Sequence, residues 1–339
     1  MKAICSFSGG LDSMLAVKLM TEQGIKVEGL YFKTGFGGCG DSEDMTPIKE
    51  RADKLGISLK VVDVGEDLIK IINKPKFGFG RNMNPCIDCH SLFFKKCGEY
   101  MKSLGCSFIV TGEVVGERPM SQRKWAMSQI DKECKLGGLI LRPLSARLLK
   151  ETIPEKEGWV DRTKLLNING RSRKPQRELA EKYKIKSYPN AAGGCLLTEK
   201  DFSRKLKDLM SNKSKIGVRD ITDLRLGRHF RLPGGAKFVM GRDEKENIKL
   251  LKKAFSGEVC FMTIDVPGPV GVLSGKIVQE DELLAASIIG AYSAADVGDN
   301  VRMKKRKGPS GEWKEFFSEA LQKREAREFL VLAGGREGV

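Results

Sequence analysis

Ser8-Gly9-Gly10-Leu11-Asp12-Ser13 stands directly after the apolar run Ala3-Ile4-Cys5-Ser6-Phe7 and directly before an amphipathic helical pattern. A strand that ends in Ser-Gly-Gly can turn with no Cβ in the way. Consecutive N–H groups then point into one concavity at a helix N-terminus, where an anion is favoured. The hydroxyls of Ser8 and Ser13 add donors, and Asp12 is placed to hold Mg²⁺. The stretch reads as a loop that holds pyrophosphate. A kinase-type loop needs G-x-x-x-x-G-K-[ST], and that string is absent from the sequence. The plain alternative is an ordinary strand-to-helix turn with an N-cap.

Outward from this loop, strand-like runs at 3–7, 27–32, 59–64, 108–111 and 139–141 alternate with helical patterns at 13–23, 44–55, 89–104 and 120–130. Such alternation predicts a doubly wound α/β fold, a parallel sheet covered on both faces with ligands at the carboxyl ends of its strands. Glycine-rich insertions at 34–40 and 77–81 are expected as loops over that same edge. The first holds Gly35-Phe36-Gly37-Gly38-Cys39-Gly40, a literal G-x-G-x-x-G with Asp63 near the place of a ribose-binding acid. It follows the second strand rather than the first and is too dense in glycine for one tight turn, so a dinucleotide site is a weak reading.

These residues resemble the PP-loop family, with an adenine nucleotide alpha hydrolase-like fold. Its enzymes cleave ATP between the α and β phosphates and pass AMP to a carbonyl oxygen. The resemblance implies that Ser8, Gly9, Gly10, Leu11, Asp12 and Ser13 bind ATP with Mg²⁺. It also implies that Thr111-Gly112, ending the fourth strand, packs on adenine or ribose with Gly112 giving the base room. Glu117-Arg118-Pro119-Met120-Ser121-Gln122 resembles an Ala-Ser-Gln stretch of the 4-thiouridine type, with Ser121 and Gln122 matching. Capping and loop structure are the plain reading of both segments.

The chain of 339 residues carries 60 Lys+Arg against 44 Asp+Glu, a net charge of +16. An excess of that size is the usual footprint of a polyanionic partner, and RNA leads the candidates. It is uneven, with thirteen basic and six acidic residues between Arg142 and Lys186. The chain enters its first strand at once, and no apolar run approaches the ~20 residues of a membrane span. A cytoplasmic protein without a membrane partner is expected.

Nine cysteines are more than packing needs, and a reducing compartment argues against disulfides. Asn84-Pro85-Cys86-Ile87-Asp88-Cys89-His90 places two thiols at C-x-x-C spacing at a helix start, where the helix dipole is expected to lower thiol pKa. Cys195 follows Gly193-Gly194. Here the chain resembles the tRNA thiouridylases of the 2-thiouridine and 4-thiouridine types. In the branch with a third cysteine, the resemblance implies a [4Fe-4S] cluster on Cys86, Cys89 and Cys195. Two alternatives stay open: a persulfide pair of Cys89 and Cys195, and a zinc site completed by Cys39 or Cys97. Cys5, Cys97, Cys106, Cys134 and Cys260 are expected in packing.

The expected division is a PP-loop catalytic domain at 1–142, a basic, mainly helical subdomain carrying Cys195 at 143–212, and an α+β domain at 213–339. Strand-like runs at 237–240, 259–264 and 271–273 mark the last, which is expected to close on a charged helix at 316–332. From Gly227 to Ser293 this region resembles the RNA-binding domain of NFACT proteins, and Arg302-Met303-Lys304-Lys305-Arg306-Lys307 is its leading phosphate contact. The composite reading is an ATP-dependent tRNA uridine sulfurtransferase, with Asp12, Cys89 and Cys195 as catalytic residues and Gln122 in the nucleotide site. Its partners would be tRNA, sulfide or a sulfur-donor protein, and a second copy of the chain. The competing readings are a PP-loop ligase or amidotransferase-like enzyme with structural zinc, and an RNA-binding module regulated by nucleotide.

Overall fold

The computed structural model describes residues 1–37, 45–189 and 195–331. The chain folds as two compact units, Met1–Lys200 and Asp201–Val339.

In the first unit the elements run β1 (Lys2–Ser6), α1 (Leu11–Thr21), β2 (Lys26–Lys33), α2 (Thr46–Lys54), β3 (Ser58–Asp63), α3 (Gly65–Asn73) and α4 (Cys86–Ser103). They continue with β4 (Phe108–Thr111), α5 (Lys124–Cys134), β5 (Ile140–Leu141), α6 (Ile153–Lys156) and α7 (Lys174–Lys182). The sheet has the order β3-β2-β1-β4-β5 and every pairing is parallel. This is the doubly wound sheet expected from the alternation, with α3 added. Successive side chains of a strand point to opposite faces, so each central strand feeds two cores. Ala3, Cys5, Phe108 and Val110 join α1 on one face, while Ile4 and Ile109 join Ile87, Phe94 and Ile130 of α4 and α5 on the other.

Helix α1 departs from the amphipathic expectation. It is buried on nearly all sides because it lies between the sheet and α7. Residues beyond 142 also pack into this unit, with Val160, Leu165, Ile168, Ala180 and Ile185 in the core around α1. Asp63 accepts from the Gly65 N–H (2.9 Å) at the start of α3, a turn rather than a ribose contact. Cys5, Cys97, Cys106 and Cys134 are buried, as expected of packing thiols, and so is Cys260 in the second unit. No helix among the described residues is long and apolar enough to cross a membrane.

The second unit contains α8 (Lys200–Asn212), α9 (Val218–Asp223), β6 (Arg228–Arg231), β7 (Lys237–Met240), α10 (Glu244–Lys253) and β8 (Val259–Thr263). It continues through β9 (Gly271–Ser274), α11 (Gln279–Ala291), β10 (Asn300–Lys307), β11 (Lys314–Glu319) and α12 (Lys323–Glu328). Its sheet, β11-β10-β8-β9-β7-β6, is antiparallel throughout. Helix α11 fills one face with Ala285, Ala286, Ile288 and Ile289, and Leu250 of α10 packs on the other with Cys260 and Val272. The closing segment corrects the expectation of one helix at 316–332. Phe316 and Phe317 lie on β11, paired with Met303 and Arg302, and only a short helix follows.

Candidate functional site

The first sheet reverses its strand order between β1 and β4, and the residues after these two strands share one crevice. After β1, the Phe7 N–H donates to Leu30 O (2.8 Å), and Gly9 adopts φ +70°, which favours glycine. The Gly10 N–H donates to Ser8 Oγ (3.3 Å), Ser13 Oγ donates to Gly10 O (2.8 Å), and the two hydroxyl oxygens lie 3.3 Å apart. The first bond of α1 runs from Met14 N to Gly10 O (3.1 Å), so the Leu11, Asp12 and Ser13 amides head the helix without intrahelical partners. The Leu11 side chain is in the core, which leaves only its backbone for a ligand.

After β4, a Cβ on Gly112 would stand 2.5 Å from both Asp12 C and Ser13 N. The room this glycine makes is therefore filled by the backbone of α1. Thr111 is buried and accepts from the Glu113 N–H (3.3 Å). Gln122 is also turned inward. Its Oε1 accepts from the Arg118 N–H (3.1 Å) and its carbonyl from Gly116 N (2.7 Å), so it shapes the loop that carries Arg118.

Four charged residues that sequence reasoning did not single out complete the crevice. Arg173 Nη2 donates to Asp12 Oδ2 (3.4 Å), although 161 residues separate them. The chain reaches this point through Gly170 N, which donates to Val115 O (2.8 Å), and then turns into α7. Glu117 accepts from Gln176 Nε2 (3.4 Å). Arg51 of α2 brings Nη1 within 3.5 Å of where a Cβ on Gly9 would stand. Arg118 lies close enough for its charge to act on Asp12, Glu117 and Cys86. Burial pushes the Asp12 carboxyl up, with Arg173 opposing. Burial and the charge of Asp12 push Glu117 up as well. Asp12 Oδ1 is buried without a hydrogen-bond partner. Two carboxyls raised by burial, one of them also by its neighbour's charge, and one orphaned oxygen suit a divalent cation whose remaining ligands come from phosphate.

Cys86 begins α4 and Cys89 lies one turn on, with Cys89 N–H donating to Pro85 O (2.9 Å). The segment bearing Cys195 is stitched beside them. Leu196 N donates to Phe36 O (2.9 Å), Met83 N to Leu197 O (3.1 Å) and Asn82 Nδ2 to Thr198 O (2.7 Å). The three sequence-predicted thiols come together, and the charge of Cys195 and then of Cys86 acts on Cys89. Their ionisation corrects the expectation of lowered pKa. Burial pushes Cys89 well above its ordinary value and raises Cys86 against the pull of Arg118, because desolvation outweighs the helix dipole. Among the described residues no group of three or more His, Cys, Asp or Glu side chains is arranged to hold a metal ion. The thiols thus do not fit a cluster in this arrangement. Cys39, Gly193 and Gly194 lie outside the described residues.

His90, next to Cys89, belongs to a buried network. Its Nδ1 is hydrogen-bonded to Glu113 Oε1 (2.7 Å), Arg142 Nε donates to Glu113 Oε2 (2.8 Å), and Arg142 Nη2 donates to Asp131 Oδ1 (2.8 Å). Burial alone would raise Glu113, but the Arg142 guanidinium and His90 outweigh it and hold the carboxyl below its ordinary range. The network ties the thiol-bearing end of α4 to the residue after Gly112.

In the second unit the basic run of β10 divides between two faces. Arg302, which pairs with Glu315 (2.7 Å), shares its face with Lys304 and Arg306, whose Nζ and guanidinium lie 5.3 and 4.7 Å from the centre of the Trp313 ring, while Lys305 on the other face pairs with Glu282.

Residues 1–157 match the family described as "tRNA methyl transferase HUP domain", and residues 227–330 match "NFACT protein RNA binding domain". A tRNA-specific 2-thiouridylase MnmA of Listeria monocytogenes serotype 4b (strain CLIP80459) is 23% identical over 286 residues, covering 77% of this chain and 73% of the relative. That of Pseudomonas fluorescens (strain Pf0-1) is 26% identical over 221 residues, 62% of this chain and 55% of the relative. Among solved structures, a complex of a 4-thiouridine synthetase with RNA and bound ATP aligns with a TM-score of 0.40 at 18% identity, covering 66% of this chain and 51% of that one.

Proposed function

We propose that this chain, whose first unit is a PP-loop domain of the thiouridylase type and whose second contains an NFACT-type RNA-binding domain, is an ATP-dependent tRNA uridine sulfurtransferase. The observation that carries the reading is the end of β4, where Gly112 seats on the Asp12–Ser13 backbone and Glu113 is hydrogen-bonded to His90, the neighbour of Cys89, so that nucleotide loop and thiol-bearing helix meet at one strand end.

A uridine carbonyl oxygen is a poor leaving group, and adenylation turns it into a good one. The oxygen attacks the α phosphorus of ATP, the bond to the β phosphate breaks, and pyrophosphate leaves. Ser8, Gly9, Gly10 and Ser13 with the amides heading α1 receive that pyrophosphate. Arg51 and Arg173 add positive charge, and Asp12 with Glu117 would hold Mg²⁺, which supplies charge neutralisation when bound. Thr111 and Gly112 keep the end of β4 seated on α1.

Sulfur delivery is assigned to Cys89 and Cys195, whose segments are held together by the Met83 N to Leu197 O and Asn82 Nδ2 to Thr198 O hydrogen bonds. A donor protein or small persulfide supplies sulfane sulfur to one of the pair. Its terminal sulfur attacks the activated carbon and AMP departs with the oxygen. The other thiol then attacks the inner sulfur, which closes a Cys89–Cys195 disulfide and frees the thiocarbonyl. A dithiol reductant restores the pair. A brown protein with broad visible absorbance after anaerobic purification would contradict this pairing and favour a cluster on Cys86, Cys89 and Cys195.

Functionally the division follows 1–142 for activation, 143–212 for Cys195 and basic contacts, and 213–339 for holding RNA. The test is nucleoside mass spectrometry of tRNA incubated with the chain, ATP and a persulfide donor. Thiouridine formed one-for-one with AMP is expected, and pyrophosphate release without thiouridine would overturn the reading in favour of a ligase.

A further inference from the structure

The mouth has a rim to which the chemistry above gives no role. Phe79 is 41% exposed and Trp125 is 52% exposed, and they are the exposed aromatic rings of the first unit among the described residues. Two contacts bring their segments to the mouth. Gly80 packs so closely on Met120 that a Cβ would lie 2.8 Å from Met120 Cγ, and Trp125 opens α5 shortly after Met120. The same loop continues through Gly80 N to Asn84 O (2.9 Å) into the Asn82 and Met83 contacts that hold the Cys195 segment.

Exposed cations accompany the rings. Arg81, Arg123 and Lys124 are exposed, and among the described residues none of them is in an ion pair. A lone exposed ring needs no explanation. Two rings among three such cations, on loops joined to the segment that carries Cys195, are the composition of a single-stranded nucleic acid platform, where rings take bases and cations take phosphates. A duplex keeps its base faces stacked and offers these rings nothing.

We propose that this rim receives an unpaired stretch of RNA, one base stacking on Trp125 or Phe79 while its phosphates lie along Arg81, Arg123 and Lys124. The proposal rests on the tRNA reading above and names the surface that would present the target uridine.

The sequence has three tryptophans, so Trp159→Phe with Trp313→Phe leaves Trp125 as the sole indole reporter. The full chain is titrated with oligouridine about a dozen nucleotides long, and separately with its duplex. Oligouridine is expected to quench the emission and the duplex to leave it unchanged. Phe79→Ala with Trp125→Ala, in the otherwise natural chain, should weaken oligouridine binding about tenfold while Trp125→Phe keeps it. ATP binding, measured in parallel, should be unaffected and shows that the variants fold. Equal affinity of the double alanine variant and the natural chain would overturn the proposal and leave the sulfurtransferase reading standing. Quenching with no thiouridine formed would uphold the rim and sink that reading. A response to a persulfide-loaded rhodanese and none to RNA would make the rim a protein-docking surface and overturn the proposal.

Discussion

The two sheets keep their charge in different places. In the parallel sheet the central strands β1 and β4 are apolar almost throughout, and the charged groups of the site arrive from the loops at their carboxyl ends and from Arg173 far along the chain. In the antiparallel sheet the charge lies in a strand, where Arg302, Lys304 and Arg306 alternate with Val301 and Met303. A parallel sheet buried on both faces can expose chemistry only at its edge, in a crevice where each group has few alternatives. An antiparallel sheet with a solvated face can spread contacts along a strand, each worth little. Substitutions in the first unit should act steeply, and those in the second by degrees.

The steepest case is sulfur transfer. Cys89→Ser or Cys195→Ser should each lower thiouridine formation by at least about a thousandfold, as loss of a nucleophile does. ATP binding measured by equilibrium dialysis should stay within twofold or so, because neither thiol belongs to the pyrophosphate loop.

Next comes the buried network between α4 and β4. Arg142→Leu leaves the buried Glu113 carboxylate with His90 as its remaining side-chain partner and should cost about 3 kcal/mol of unfolding free energy, read from urea denaturation. The pH dependence has a definite sign. Glu113 is held below its ordinary carboxyl value of 4.5, so the stability it contributes is complete above that value and is lost as pH falls below it. Glu113→Gln should remove that acid-range loss from the stability profile.

Gly112→Ala sharpens the comparison within the crevice. Its methyl would meet the Asp12–Ser13 backbone at 2.5 Å, so the start of α1 must move. A destabilisation of about 1–3 kcal/mol is expected in thermal melts, together with weakened ATP binding. An unchanged nucleotide affinity would show that the close seat of α1 on β4 does not shape the loop.

Gradual effects belong to β10. Lys304→Ala with Arg306→Ala should weaken RNA binding severalfold and lower the slope of affinity against salt by about 1 for each phosphate left without its cation. The thiolation rate at saturating RNA should not change.

The first sheet was legible strand by strand because apolar runs between helical patterns have no other home in a chain of this charge. The turn at Ser8 to Ser13 was legible for a related reason, since it is local and its glycines act through the backbone. Arg51, Glu117, Arg118 and Arg173 were not legible as site residues. Nothing in spacing joins Arg173 to Asp12, and only the packing of residues 160–185 on α1 brings them together. The thiols were found by their spacing and neighbours, yet their ionisation was misjudged because burial is invisible in sequence. In the second unit β11 read as part of a helix since Phe317, Leu321 and Leu330 also suit a helical face. The pairing of β11 with β10 in a hairpin decided otherwise.

The account turns on activation and sulfur delivery sharing one mouth, with Cys89 and Cys195 as the working pair. The most direct measurement is peptide mapping by mass spectrometry, without reductant, after one turnover with ATP, tRNA and a persulfide donor. The account predicts a Cys89–Cys195 disulfide in proportion to thiouridine formed. Thiouridine with both thiols still reduced would contradict it.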